Sequence, residues 1–146
     1  MTSVFDVAQY ILQKRGSITA MKLQKLVYYC QAWSLVWDEE PLFDETIEAW
    51  ASGPVVRELY DAHRGMFAVT SLLRGTPDNP TIVQKETIDA VLDFYGDRSA
   101  QWLSDLTHIE APWRLAREGF EEGASCANEI TIASMSEYYF EIEPTD

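Results

Sequence analysis

The sequence predicts a mainly α, single compact domain of about six to eight helices around one central apolar helix, with one short extended segment. Three observations carry this expectation. The chain has 146 residues, enough for one well-filled core and too few for two. Its composition, 47% hydrophobic and 24% charged, is that of a globular protein. Apolar residues recur at i, i+3, i+4 and i+7 in most segments, and glycine or proline punctuates them.

Taken in order, Ser3 opens an S-x-x-D capping box with Asp6, and Val4, Val7, Ala8, Ile11 and Leu12 follow at helical spacing. Gly16 ends this helix behind Lys14-Arg15, a basic pair suited to the negative end of the dipole. Thr19 caps a second helix running to about Trp37. Leu23, Leu26, Val27, Cys30, Trp33 and Trp37 form one stripe on it, and Tyr28, Tyr29, Ala32, Leu35 and Val36 cover much of the remainder. A helix apolar nearly all round belongs in the middle of a fold.

From Asp38 to Ser52 the helical rhythm stops, with Pro41 as breaker and Thr46–Trp50 as the short extended segment. Gly53-Pro54 is expected to restart a helix, Pro54 in its first turn, burying Val55, Val56, Leu59, Tyr60 and His63. Gly75, Pro77 and Pro80 make 65–81 a loop, with a short helical piece around Ala68–Leu73. Helix returns near Lys85, on Ile88, Val91, Leu92 and Tyr95, and Gly96 stops it. Ser99 caps a helix carrying Trp102, Leu103 and Leu106. The chain turns over Thr107–Pro112, Pro112-Trp113 opens a helix to about Phe120, and Thr131 begins the last, with Ile132, Met135, Tyr139 and Ile142 on one side.

Charge narrows the function classes. Twenty-four acids face eleven bases, a formal net charge of -13. Nucleic acids and anionic membranes are bound through clustered Lys and Arg, so neither is an expected partner. No run approaches the ~18 apolar residues of a membrane span, and the N-terminus lacks a signal-peptide pattern, so a cytoplasmic location is expected. The acids are also unevenly placed. No Lys, Arg or His occurs between Lys25 and Arg57, where Asp38, Glu39, Glu40, Asp44, Glu45 and Glu48 fall. None follows Arg117, where Glu118, Glu121, Glu122, Glu129, Glu137, Glu141, Glu143 and Asp146 accumulate. These stretches are either acidic patches for a basic protein or solvated loops and a fraying tail.

Chemistry is hard to find. The chain has no GxGxxG, P-loop, GxSxG or HExxH, and Cys30 and Cys126 form neither a zinc signature nor a disulfide framework. No cofactor, metal or catalytic residue is expected. His108 and Glu110 could pair at a cleft, but a corner in which Thr107 and His108 satisfy loose backbone groups and Trp113 plugs the core is the better reading. Gly53-Pro54 could offer backbone amides to an anion. Pro54 removes one donor, so it reads as an elbow with Trp50 buried on the central helix.

Lys22-Leu23-Gln24-Lys25-Leu26-Val27-Tyr28-Tyr29-Cys30-Gln31-Ala32-Trp33 resembles the central signature of the Panacea domain, the family of SocA-like and GepA-like proteins. Pro41-Leu42-Phe43, Glu48-Ala49-Trp50 and Gly53-Pro54-Val55-Val56 follow in that family's order. Leu103-Ser104, Thr107-His108, Glu110 and Pro112-Trp113 resemble a third block, and Ile132 with Tyr139-Phe140 its ending. Ala51-Ser52 departs from it, since many relatives carry a larger residue before the glycine. The resemblance, from about Val4 to Phe140, implies an antitoxin of a bacterial or phage toxin–antitoxin pair. Its partner would be a cognate protein toxin encoded next to it, for example a small-alarmone-synthetase-like translation inhibitor. Some relatives instead act as adaptors to a Clp-type protease, and many carry an appended domain, sometimes DNA-binding, for which this chain has no room.

On that reading Leu23, Lys25, Leu26, Tyr28, Tyr29, Trp33, Trp50, Gly53, Pro54, Val55, Thr107, His108, Glu110, Pro112 and Trp113 are structural motif residues. Asp38, Glu39, Glu40, Asp44, Glu45, Glu48, Glu137 and Glu141 are the candidates for toxin contact. A toxin handling tRNA or nucleotides is basic around its substrate groove, which an acidic partner suits. The competing enzyme reading would use His108 and Glu110 to reverse the toxin's modification.

Overall fold

The computed structural model describes residues 1–142, so Glu143 and Asp146 lie outside the described residues. Seven helices are present among them: α1 Val4–Arg15, α2 Ala20–Trp37, α3 Arg57–His63, α4 Ile82–Tyr95, α5 Ala100–Ile109, α6 Ala111–Ala116 and α7 Ile132–Ile142. Five short strands accompany them: β1 Ile18–Thr19, β2 Ile47–Trp50, β3 Gly53–Val56, β4 Ala68–Val69 and β5 Glu129–Ile130. β1 pairs antiparallel with β4, and β3-β2-β5 form a three-stranded antiparallel sheet.

α2 is the centre of the molecule. Every residue from Leu23 to Val36 is buried, and α1, α3, α4, α5, α7 and β3 all pack on it. Its aromatic stripe is layered. Tyr29 stacks on Tyr95 of α4 at 4.2 Å, and the Trp33 indole donates to the Tyr95 hydroxyl at 3.0 Å. Tyr139 of α7 meets Tyr28 and Tyr29 edge-on.

The buried polar residues of α2 hold the chain that follows. Gln31 Oε1 accepts from the backbone amides of Leu42 (2.7 Å) and Phe43 (3.3 Å), while its Nε2 donates to Phe43 O at 2.9 Å. Ser34 donates to Glu40 O. Gln24 Oε1 accepts from Val56 N and its Nε2 donates to Val56 O, an edge-strand pairing made by a side chain. The same Nε2 donates to His63 Nε2 at 3.0 Å, and burial holds the His63 imidazole below its ordinary pKa.

The predicted caps at Ser3/Asp6, Thr19 and Ser99 are all present, as is the extended segment at β2. Several expectations need correction: five short strands stand where the sequence predicts one extended segment, and the helix at Pro112-Trp113 ends at Ala116 rather than near Phe120. Gly53-Pro54 does not restart a helix. It belongs to β3, paired with Ala49-Trp50 across the turn Ala51-Ser52, and α3 begins only at Arg57. No helical piece spans Ala68–Leu73. Ala68-Val69 is a strand, and the Gln9 amide takes both backbone groups of Leu72, leaving none for a helical turn. α4 starts three residues before Lys85 because Thr81 and Gln84 form a capping box ahead of the apolar periodicity.

Replacing Gln31 by Leu keeps the volume but leaves two buried amides and a carbonyl without partners. The expected loss is about 3 kcal/mol in urea unfolding with an unchanged m-value.

Candidate functional site

The motif residues converge on the β2–β3 hairpin, where they bond its backbone. Arg117, just after α6, donates to Ala49 O at 2.8 Å, and the Trp113 indole donates to Trp50 O at 2.8 Å. His108 Nε2 lies 3.0 Å from Ala51 O, and Ser104 donates to Ser52 O at 3.0 Å. Successive carbonyls of the turn are thus caught by successive turns of α5 and α6. From the other side Lys25 Nζ donates to Pro54 O at 3.1 Å.

Gly53 has φ +117, and a Cβ there would sit 2.6 Å from Lys25 Cε and 3.1 Å from Thr107 Oγ1. Glycine is therefore demanded both by backbone conformation and by the lysine stem beneath it. The fold brings Lys25, 28 residues away in sequence, directly under Gly53. Lys25 is 1% exposed, and burial lowers its pKa to about 8. Trp50 is half-buried rather than buried on α2, packing against Tyr60 at 5.0 Å and under the Arg57 guanidinium at 5.1 Å.

His108 and Glu110 are not hydrogen-bonded to each other. The two His108 ring nitrogens lie against Ser104 O and Ala51 O, and the ring packs on Trp113 at 4.1 Å, closing the corner between α5 and α6. Glu110 is instead the hub of a buried aromatic cluster. Its Oε1 accepts from Tyr29 and Tyr139, each at 2.7 Å, and the Tyr139 hydroxyl meets that of Tyr28 at 3.0 Å. Burial raises the Glu110 pKa, and the two tyrosine bonds moderate the rise. Thr107, Val55, Pro112, Leu23 and Leu26 are core residues around this assembly.

The contact candidates separate into two groups. Three are engaged within the chain: Asp38 accepts from Thr87 (2.7 Å), Glu45 from Val4 N (3.0 Å), and Glu48 from Trp50 and Arg57 (2.8 and 3.2 Å). Glu39, Glu40, Asp44, Glu137 and Glu141 are exposed. Of these the fold brings Glu39, Glu137 and Glu141 together, around a groove of about 680 Å3 between the end of α2 and α7. Glu39 from one acidic stretch thus joins two acids of the other, while Glu40 and Asp44 line a separate cleft beside Met1 and Thr2.

The stretch containing α2, the hairpin and α3 matches a family model described as antitoxin SocA-like, Panacea domain, over residues 23–72. The third block and the ending seen in the sequence lie beyond the matched residues, although Ser104, His108 and Trp113 contact the hairpin inside the match directly. No curated protein and no solved structure matches the chain. No helix among the described residues is long and apolar enough to cross a membrane, and none of their His, Cys, Asp and Glu side chains group to hold a metal.

The buried Lys25 gives a pH signature. Folded Lys25 releases its proton near pH 8, against an ordinary value of 10.5. Between those values the unfolded chain holds the extra proton, so stability rises with pH. From pH 7 to 10 the wild type is expected to gain about 2 to 3 kcal/mol relative to Lys25→Met in chemical denaturation. Parallel curves would show that folding leaves the Lys25 pKa unshifted.

Proposed function

We propose that the chain is an antitoxin that neutralises a cognate protein toxin by direct contact and holds it in a stoichiometric complex, without transforming a substrate. The match of residues 23–72 to an antitoxin-like domain carries this reading. Two features support it. The polar residues that could suggest chemistry, Lys25, His108 and Glu110, are occupied in bonding backbone or tyrosines. The surface carries exposed acids in a chain of net charge -13, suited to a basic protein such as a toxin that acts on tRNA or nucleotides.

Co-expression with the product of the adjacent gene tests the reading. The expected outcome is rescued growth and a stable complex on pull-down, with toxin abundance unchanged. Falling toxin levels that recover on deletion of a Clp-type protease would favour delivery instead. Catalytic turnover sensitive to His108→Ala would favour an enzyme. Glu45 and Glu48 hold local structure, so the acidic loop is tested at Glu40 and Asp44. Reversing both to Lys is expected to slow association about threefold to tenfold at low salt and to flatten its salt dependence.

A further inference from the structure

We propose that the groove between α2 and α7 is where the partner docks, and that it receives a short amphipathic helix whose apolar anchors are flanked by Lys or Arg. The inference rests on the antitoxin reading and names the chemistry of the contact. Residues 133, 136, 137, 140 and 141 are spaced i, i+3, i+4, i+7 and i+8, one continuous face of α7, opposite to the face that buries Met135 and Tyr139 in the core. Ala133, Glu137, Phe140 and Glu141 on this face are exposed.

The floor is apolar. Leu35 and Val36 of α2 lie at its base, and Phe140 stands 68% exposed beside them. An exposed aromatic ring over a groove of aliphatic side chains is the usual form of an interface anchor. The rim has one sign: Glu39, Glu137 and Glu141 line the groove, and no Lys, Arg or His does. A purely apolar partner would leave three carboxylates partly desolvated and unpaired, and an acidic one would be repelled. A helix with apolar residues at i, i+3 and i+4 and bases on both flanks satisfies floor and rim together.

Glu39 adds a second observation. It is the one non-glycine residue with a left-handed backbone among the described residues, at φ 57. Glycine or asparagine is the usual choice at such a helix end, so a glutamate places a charge there against local preference.

The test compares two variants of equal charge in binding to the purified product of the adjacent gene. One carries Glu39→Lys, Glu137→Lys and Glu141→Lys. The other carries Glu58→Lys, Glu86→Lys and Asp93→Lys, exposed acids on α3 and α4. The groove variant is expected to bind at least about tenfold more weakly, with the scattered variant within about threefold of wild type. Ser136→Trp, which fills the groove without changing charge, is expected to weaken binding similarly and serves if the triple variant is misfolded by circular dichroism. Equal losses in both charge variants, or groove variants that bind like wild type, would overturn the docking site while leaving the antitoxin reading intact. No complex with the wild-type chain would remove the antitoxin reading itself, and the docking site with it.

Discussion

Six side chains bonded to one short hairpin organise this molecule. Residues 49–56 form two strands too narrow to satisfy their own buried backbone, and a buried carbonyl without a partner is costly. Arg117, Trp113, His108 and Ser104 supply partners at 49, 50, 51 and 52, and Lys25 and Gln24 supply them at 54 and 56. Each such bond adds on the order of 1 kcal/mol, but the loss of any one orphans a buried group. Helices from both halves of the chain are thereby fixed relative to a few peptide units, which explains why the otherwise apolar α2 carries Gln24 and Lys25 where it meets the hairpin.

The same economy governs the Glu110 cluster. A carboxylate with only tyrosine hydroxyls for company gains less than it would from a cation, and burial raises its pKa accordingly. It nevertheless joins three helices, since Tyr29 lies on α2, Tyr139 on α7, and Glu110 at the junction of α5 and α6. Polar groups of this kind specify one arrangement of the core more than they strengthen it. With the motif residues turned inward, the outer face of α7 and the loop after α2 are free to carry the charge pattern.

Helix periodicity and caps made most of the architecture readable. Ser3, Thr19 and Ser99 announce their helices, and the apolar girth of α2 places it at the centre. Only the first strand of the hairpin is legible in the sequence, because Gly53-Pro54 is equally good chemistry for a helix start, and Val55-Val56-Leu59 also fits either period. What separates the two is the lysine stem under Gly53, a contact made across 28 residues of sequence. His108 and Glu110 illustrate the same limit. Two residues apart in sequence, they serve different partners, Ala51 and the tyrosines, that no local pattern names. The grouping of Glu39 with Glu137 and Glu141 likewise depends on how α7 lies against α2. Composition reveals an acidic chain without saying which acids are neighbours.

The span of the hairpin's bonds bears on how the protein is made. Ala49 and Trp50 leave the ribosome well before Trp113 and Arg117, the groups that complete their backbone, lying 63 to 68 positions downstream. Until those arrive, the nascent hairpin is solvated and open to proteases and chaperones, and the α2 aromatics lack their lid. The bonding of this hairpin is therefore completed only once the chain has been translated through Arg117.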